Sequence, residues 1–168
     1  MNCWILRTKE SERGKPLKPM WPHFKEEKVI AIGWDVPDNK WTTESEIASA
    51  IKRYDTDRSD DYFNSSAKKV HTFLWGMREG DRVVLFDGYN STQERVYFYG
   101  FAEITSKPRY EANSDWWQIK RDAHLFLYER NVSRKELADI LGKGQHRGTI
   151  FNLDYETCLK LRSHTFNP

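Results

Sequence analysis

A basic glycine-rich run, Gly142-Lys143-Gly144-Gln145-His146-Arg147-Gly148, is the first segment of this sequence that invites a chemical reading. Glycines and cations at this density can wrap a phosphate, but the Gly-x-x-x-x-Gly-Lys-Ser/Thr order of a nucleotide cradle is absent. Two readings stay open: a basic surface turn, or contact with a polyanion through Lys143, His146 and Arg147. No serine stands in a Gly-x-Ser-x-Gly elbow. His23, His71, His124, His146 and His164 are scattered, and no Cys/His spacing resembles a zinc site. Asp55, Asp57, Asp60 and Asp61 cluster without a ligand-bearing glutamate, which reads as a solvated connector rather than a metal site. No catalytic residue, metal or cofactor is therefore expected. The unusual chemical feature is aromatic content, with seven Trp, eight Tyr and nine Phe. The plain reading of any one of them is a core side chain.

At 168 residues the chain has the size of one domain, and a single domain over 1–168 is expected. A chain of this length buries roughly 68–70% of its unfolded surface and needs no staples. Charged residues make up 31% and apolar ones 38%, an ordinary soluble balance. No apolar run approaches the ~18–20 residues of a membrane span, and the start Met-Asn-Cys-Trp-Ile-Leu lacks the features of a secretory leader. These observations predict a cytoplasmic protein with no membrane partner. Cys3 and Cys158 both fall in apolar-patterned segments and read as buried free thiols. A net charge of +2 neither demands nor excludes a nucleic-acid partner.

Periodicity then supplies the elements. Cys3 to Thr8 reads as a strand, and Val29 to Trp34 as a second one covered on both faces. Between them Lys9 to Lys28 carries Pro16, Pro19 and Pro22 and reads as a long surface loop. Thr43 and Glu46 form a capping box ahead of a helix with Ile47, Ala50, Ile51 and Tyr54 on one face. Ala67, Val70, Phe73, Leu74 and Met77 mark a second amphipathic helix, followed by a Glu79-Gly80-Asp81 turn. Arg82 to Phe86 and Arg95 to Thr105 are strands joined by a hairpin loop, Asp87 to Glu94. Strict alternation puts Val96, Phe98, Gly100, Ala102 and Ile104 on one face of the latter and Tyr97, Tyr99, Phe101 and Glu103 on the other. Trp117 to Glu129 is a strand with a polar middle. Ser133 and Glu136 cap a helix, and Thr149 to Leu153 and Tyr155 to Leu161 close the chain as strand and helix. The fold class expected is α+β, a curved, mostly antiparallel sheet flanked by helices.

Four segments in this order resemble the EVE/YTH branch of the PUA-like superfamily and the N-terminal DNA-reading domains of McrBC-type modification-dependent restriction systems. They are Cys3-Trp4-Ile5-Leu6-Arg7-Thr8, Ile30-Ala31-Ile32-Gly33-Trp34, Met77-Arg78-Glu79-Gly80-Asp81-Arg82-Val83-Val84, and Tyr99-Gly100-Phe101-Ala102-Glu103-Ile104. Asp115-Trp116-Trp117 follows the last at a comparable distance. The similarity spans roughly residues 1–130. It implies a small barrel with a pocket at one mouth, where Trp34 and either Trp116 or Trp117 cage a modified base, with Tyr110 as a further stacking candidate. It also implies base-edge contacts from Thr8, Lys9 and Asp35, of which Asp35 is the weakest and reads more readily as a turn residue before Pro37.

In such a pocket, flipping a base out of a duplex costs a few kcal/mol, and aromatic stacking returns about 1–3 kcal/mol per base. A buried methyl adds about 0.8 kcal/mol. Methylated adenine carries no charge, so cation–π attraction cannot contribute. Phosphate contacts are expected from Lys107, Arg109, Lys120 and Arg121, which flank the tryptophan pair, with Lys143, His146 and Arg147 beyond. Trp4 and Trp75 are assigned to core; Trp21 and Trp41 lie in loops and either cover the pocket or pin those loops. The leading reading is a binding module for modified double-stranded DNA (N6-methyladenine or modified cytosine) in a defence system. A nuclease or motor would come from another chain or domain. Modified RNA and a nucleotide or small molecule are the alternative ligands. An enzyme would need Asp35, Glu103 or His124 as its acid or base.

Overall fold

The computed structural model describes residues 1–10, 18–34, 40–86, 95–113, 118–141 and 150–166. In chain order the elements are β1 (Cys3–Arg7), β2 (Lys9–Glu10), β3 (Lys18–Pro19), α1 (Trp21–Glu27), β4 (Val29–Ile32), α2 (Glu44–Tyr54) and α3 (Asp60–His71). A π-helical turn, Thr72–Gly76, continues α3. Then come β5 (Arg82–Phe86), β6 (Arg95–Ile104), β7 (Arg109–Tyr110), β8 (Ile119–Ser133), α4 (Arg134–Leu141), β9 (Ile150–Leu153) and α5 (Tyr155–Phe166). The main sheet runs β4-β8-β6-β5-β1-β9, with β7 also on β8, and it is antiparallel except for β1 beside β5. It forms an open, curled half-barrel flanked by the five helices. β8 produces the curl: its first residues pair with β4 and β7, and from Ala123 onward it pairs with β6.

Both capping boxes are present. The Glu46 amide donates to Thr43 Oγ1 at 3.2 Å while the Glu46 carboxylate accepts from the Thr43 amide at 3.0 Å. Ser133 and Glu136 make the same reciprocal pair at 2.8 and 3.2 Å ahead of α4. Each satisfies two of the orphan donors at a helix start.

Three expectations about the elements are corrected. The stretch 9–28 is not all loop: β2 pairs with β3, and α1 begins at Trp21 with Pro22 in its first turn. There a proline loses no hydrogen bond and its fixed φ suits the helix. Trp75 is not core; it is 47% exposed and its indole donates to the Trp41 carbonyl at 2.8 Å. Phe73, Leu74 and Met77 are buried within and just after the π-helical turn, while Trp75 lies on the opposite, outer side. The faces of β6 also change partners midway. Its register against β5 shifts between Leu85 and Phe86, where Gly100 takes φ 134° and Tyr99 is the extra residue. Tyr97 and Tyr99 therefore share a core with Ala102 and Ile104, while Phe98 and Phe101 point to the other face.

The two faces bury separate cores. One holds Trp4, Leu6, Phe24, Ile30, Ile32, Ile47 and Phe73 beneath α1, α2 and α3. The other holds Ile5, Val84, Phe86, Phe98, Leu137 and Leu161 beneath α4 and α5. Cys3 and Cys158 are not free thiols; they form a disulfide between β1 and α5.

Asp81 fastens the chain start to the turn before β5. Its buried carboxylate accepts from the Asn2 amide at 2.7 Å, the Trp4 indole at 2.9 Å and the Arg78 amide at 3.1 Å. Burial pushes this carboxyl up, and the donors overcome that and hold it below its ordinary value. A depressed carboxylate adds stability that is complete above its unfolded pKa of about 3.9 and is lost as pH falls through the folded value. Asp81→Asn is expected to cost about 1–3 kcal/mol at pH 7. In urea unfolding, its gap from wild type should narrow as pH is lowered from about 5 toward 2. A gap independent of pH would count against this role.

Candidate nucleic-acid interface

Ile119, the first residue of β8, pairs with Ile32 at the end of β4 and with Tyr110 at the end of β7. Facing residues on neighbouring strands share a face, so Ile32, Ile119 and Tyr110 form one row. Trp34 leaves β4 just beyond that row. Trp34 and Tyr110 are both half-buried and pack on the same core. The Glu111 amide donates to the Gln118 carbonyl at 2.7 Å, closing the β7–β8 connection. Trp116 and Trp117 belong by sequence to that connection and lie outside the described residues. So do Asp35, Lys143, His146 and Arg147. Lys9 is placed by its backbone, as the first residue of β2.

The basic residues flanking the tryptophan pair divide sharply. Lys107 is exposed. Arg109 bonds to Glu111 at 2.9 Å and also to Asp122. Lys120, with its side chain 6% exposed, bridges Glu27 at 2.6 Å and Glu111 at 2.7 Å. Burial pulls the Lys120 ammonium down, but Glu111 and Glu27 more than offset it, so its pKa lies above the ordinary value. Lys120 and Arg109 in turn hold the Glu111 carboxyl below its usual range. This network ties α1, β7 and β8 together. Glu27, Glu111 and Asp122 are the carboxylate partners of Arg109 and Lys120, and sequence reasoning missed them. The available signal was the alternation of acid and base around Arg109 and Lys120.

Arg121 is not a phosphate contact. It is 2% exposed, and its guanidinium donates to the carbonyls of Phe73 (3.0 Å), Leu74 (2.9 Å), Met77 (2.9 Å) and Ser106 (3.0 Å). Burial lowers its pKa to about 10 against the opposing pull of Glu79 and Asp81, so it remains charged at neutral pH. Thr8 is likewise unavailable as a base-edge contact. It is fully buried, and its hydroxyl donates to the Phe86 carbonyl at 3.0 Å.

A second aromatic group was not picked out from the sequence. Trp21 stacks on Tyr99 with centroids 4.8 Å apart, and Tyr97 leans on Tyr99 at 5.0 Å. Its signal was the two-residue spacing of tyrosines on β6, obscured by reading Lys9 to Lys28, which contains Trp21, as a loop. Among the described residues no group of histidine, cysteine and carboxylate side chains could hold a metal ion.

The family model described as a domain of unknown function, DUF8426, matches residues 9–154. The chain belongs to the DUF8426 family. The matched stretch of this DUF8426 domain includes Trp34, Tyr110, the Trp116–Trp117 pair and Arg121, and it leaves both cysteines outside. No curated protein matches the chain. The crystal structure of protein Atu2648 from Agrobacterium tumefaciens is similar at a TM-score of 0.45 and 14% identity, over 100% of this chain and 97% of that one. A crystal structure of a Pseudomonas putida protein is similar at 0.41 and 15%, over 80% and 97%. Among the described residues no helix is long and apolar enough to cross a membrane.

Proposed function

We propose that this DUF8426 domain is a PUA-like, EVE/YTH-type reader that binds double-stranded DNA carrying a modified base, such as N6-methyladenine or modified cytosine. The observation that carries the reading is the shared row at Ile119, which brings Trp34, Tyr110 and the entry of the Trp116–Trp117 connection to one end of the β4–β8–β7 ladder. In this reading the base stacks between Trp34 and one indole of the pair. Tyr110 borders the site, and the Lys120–Glu27–Glu111 network braces α1 against β7 and β8 beside it. Lys107 supplies a phosphate contact. Arg109 can contribute one only by exchanging its carboxylate partners, which restrains binding to unmodified DNA. The domain acts as the recognition part of a defence system whose nuclease or motor is another chain or domain.

The test is binding of wild type and Trp34→Ala to duplexes carrying unmodified bases, N6-methyladenine or 5-methylcytosine, at two salt concentrations. Loss of one stacking wall is expected to remove about 1–3 kcal/mol, roughly fivefold to 150-fold, from the preferred probe alone. The salt slope should stay unchanged, because phosphate contacts set it. Absence of binding to every duplex by the folded protein would overturn the reading. Recovery of binding on modified RNA would transfer it to RNA.

A further inference from the structure

Four of the large hydrophobics that stand exposed line a single cleft on the sheet face opposite Trp34 and Tyr110: Met1 (71%), Phe126 (51%), Tyr155 (61%) and Leu159 (41%). Solitary exposed apolar side chains are ordinary, whereas a convergent set marks a binding surface. The cleft lies between the β5–β6–β8 surface and α5, and the Cys3–Cys158 disulfide forms part of its wall. Phe126 is the cross-strand partner of Phe101, giving one wall two adjacent rings. The volume is about 180 Å³, and a cavity of about 150 Å³ accommodates a benzene ring.

The polar part of the lining is equally specific. Arg82 on β5 and Glu103 on β6 are direct cross-strand partners, and both line the cleft. Both are half-buried, and neither side chain has a hydrogen bond or ion pair among the described residues. A guanidinium and a carboxylate, adjacent and unpaired beside an apolar recess, present complementary charges to one small molecule bearing both signs. Arg162, on the α5 side, adds a second guanidinium to the lining but has interactions of its own.

We infer that this cleft binds a free α-amino acid with a large apolar side chain. Its carboxylate would meet Arg82, its ammonium Glu103, and its side chain Phe101, Phe126 and Leu159. The site is independent of the proposed nucleic-acid interface.

Calorimetric titration of the unreduced protein with L-phenylalanine, 3-phenylpropionate and 2-phenylethylamine tests this. L-phenylalanine is expected to bind at one site, with each single-charge analogue at least tenfold weaker. Arg82→Gln should weaken L-phenylalanine and leave 2-phenylethylamine unchanged, and Glu103→Gln should weaken L-phenylalanine and leave 3-phenylpropionate unchanged. Phe126→Ala, an exposed position whose loss leaves the fold intact, should weaken all three. Absence of saturable binding by L-phenylalanine overturns the inference. So does equal binding by either single-charge analogue, which would make this a site for simple anions or amines.

Discussion

Arg121→Met is expected to lower stability by about 3–5 kcal/mol, because several buried carbonyls lose their donor together. For a chain of this size that is roughly 6–20 °C in Tm. The reason lies in the π-helical turn after α3. A helix end leaves carbonyls without partners, and here those of Phe73, Leu74 and Met77 are met by one guanidinium that also reaches Ser106. Removing it strands several buried acceptors at once, each costing about 1–3 kcal/mol before relaxation. Arg121→Lys should restore only part of the loss, because an ammonium is a compact point charge and cannot span the places filled by Nε and both Nη atoms. Thermal unfolding combined with salt-dependent DNA binding separates this role from the one expected from sequence. A phosphate-contacting arginine would leave Tm unchanged and reduce the salt slope by about one. A loss below about 1 kcal/mol would remove the structural assignment.

That contrast shows where the sequence was legible. The caps at Thr43 and Ser133, the strand Arg82–Phe86 and the antiparallel character of most of the sheet follow from local rules, and local rules need only neighbouring residues. Arg121 was opaque because alternation within Lys120-Arg121-Asp122 says which residues share a face, and not whether that face is covered. Its cover is the turn that follows α3, some 45 residues away in the chain. Tyr99 was displaced by a single-residue slip, a bulge that inverts the faces downstream of it. Trp75 was assigned to core from its place at a helix end, although the helical repeat puts it on the outer face. The candidate cage is partly legible for the same reason. Trp34 stands out as a residue, but its proximity to Tyr110 depends on the register of two ladders that share Ile119.

The Cys3–Cys158 pairing is the largest non-local feature, with a separation of 155 residues. Alkylation of unreduced protein is expected to find no free thiol, and dithiothreitol or Cys158→Ser is expected to cost about 2–5 kcal/mol, roughly 4–20 °C in Tm. Part of this acts on the unfolded chain, since joining its two ends removes most of the conformations that a loop of this length can explore. The rest acts on α5. Among its described side chains Cys158 and Leu161 are buried, while Tyr155 and Leu159 stand exposed along the cleft, so few buried apolar side chains hold the helix once the bond is open. Hydrogen exchange should accordingly rise first across α5 and only later in β5 and β6, whose amides sit in the middle of the sheet. Disulfides persist in oxidising compartments and are rare in the cytosol, so the same measurement in cell extract reads the chain's redox surroundings. Two titratable thiols in unreduced protein, or a Tm indifferent to dithiothreitol, would return the cysteines to the role of buried thiols. α5 would then be held by packing alone.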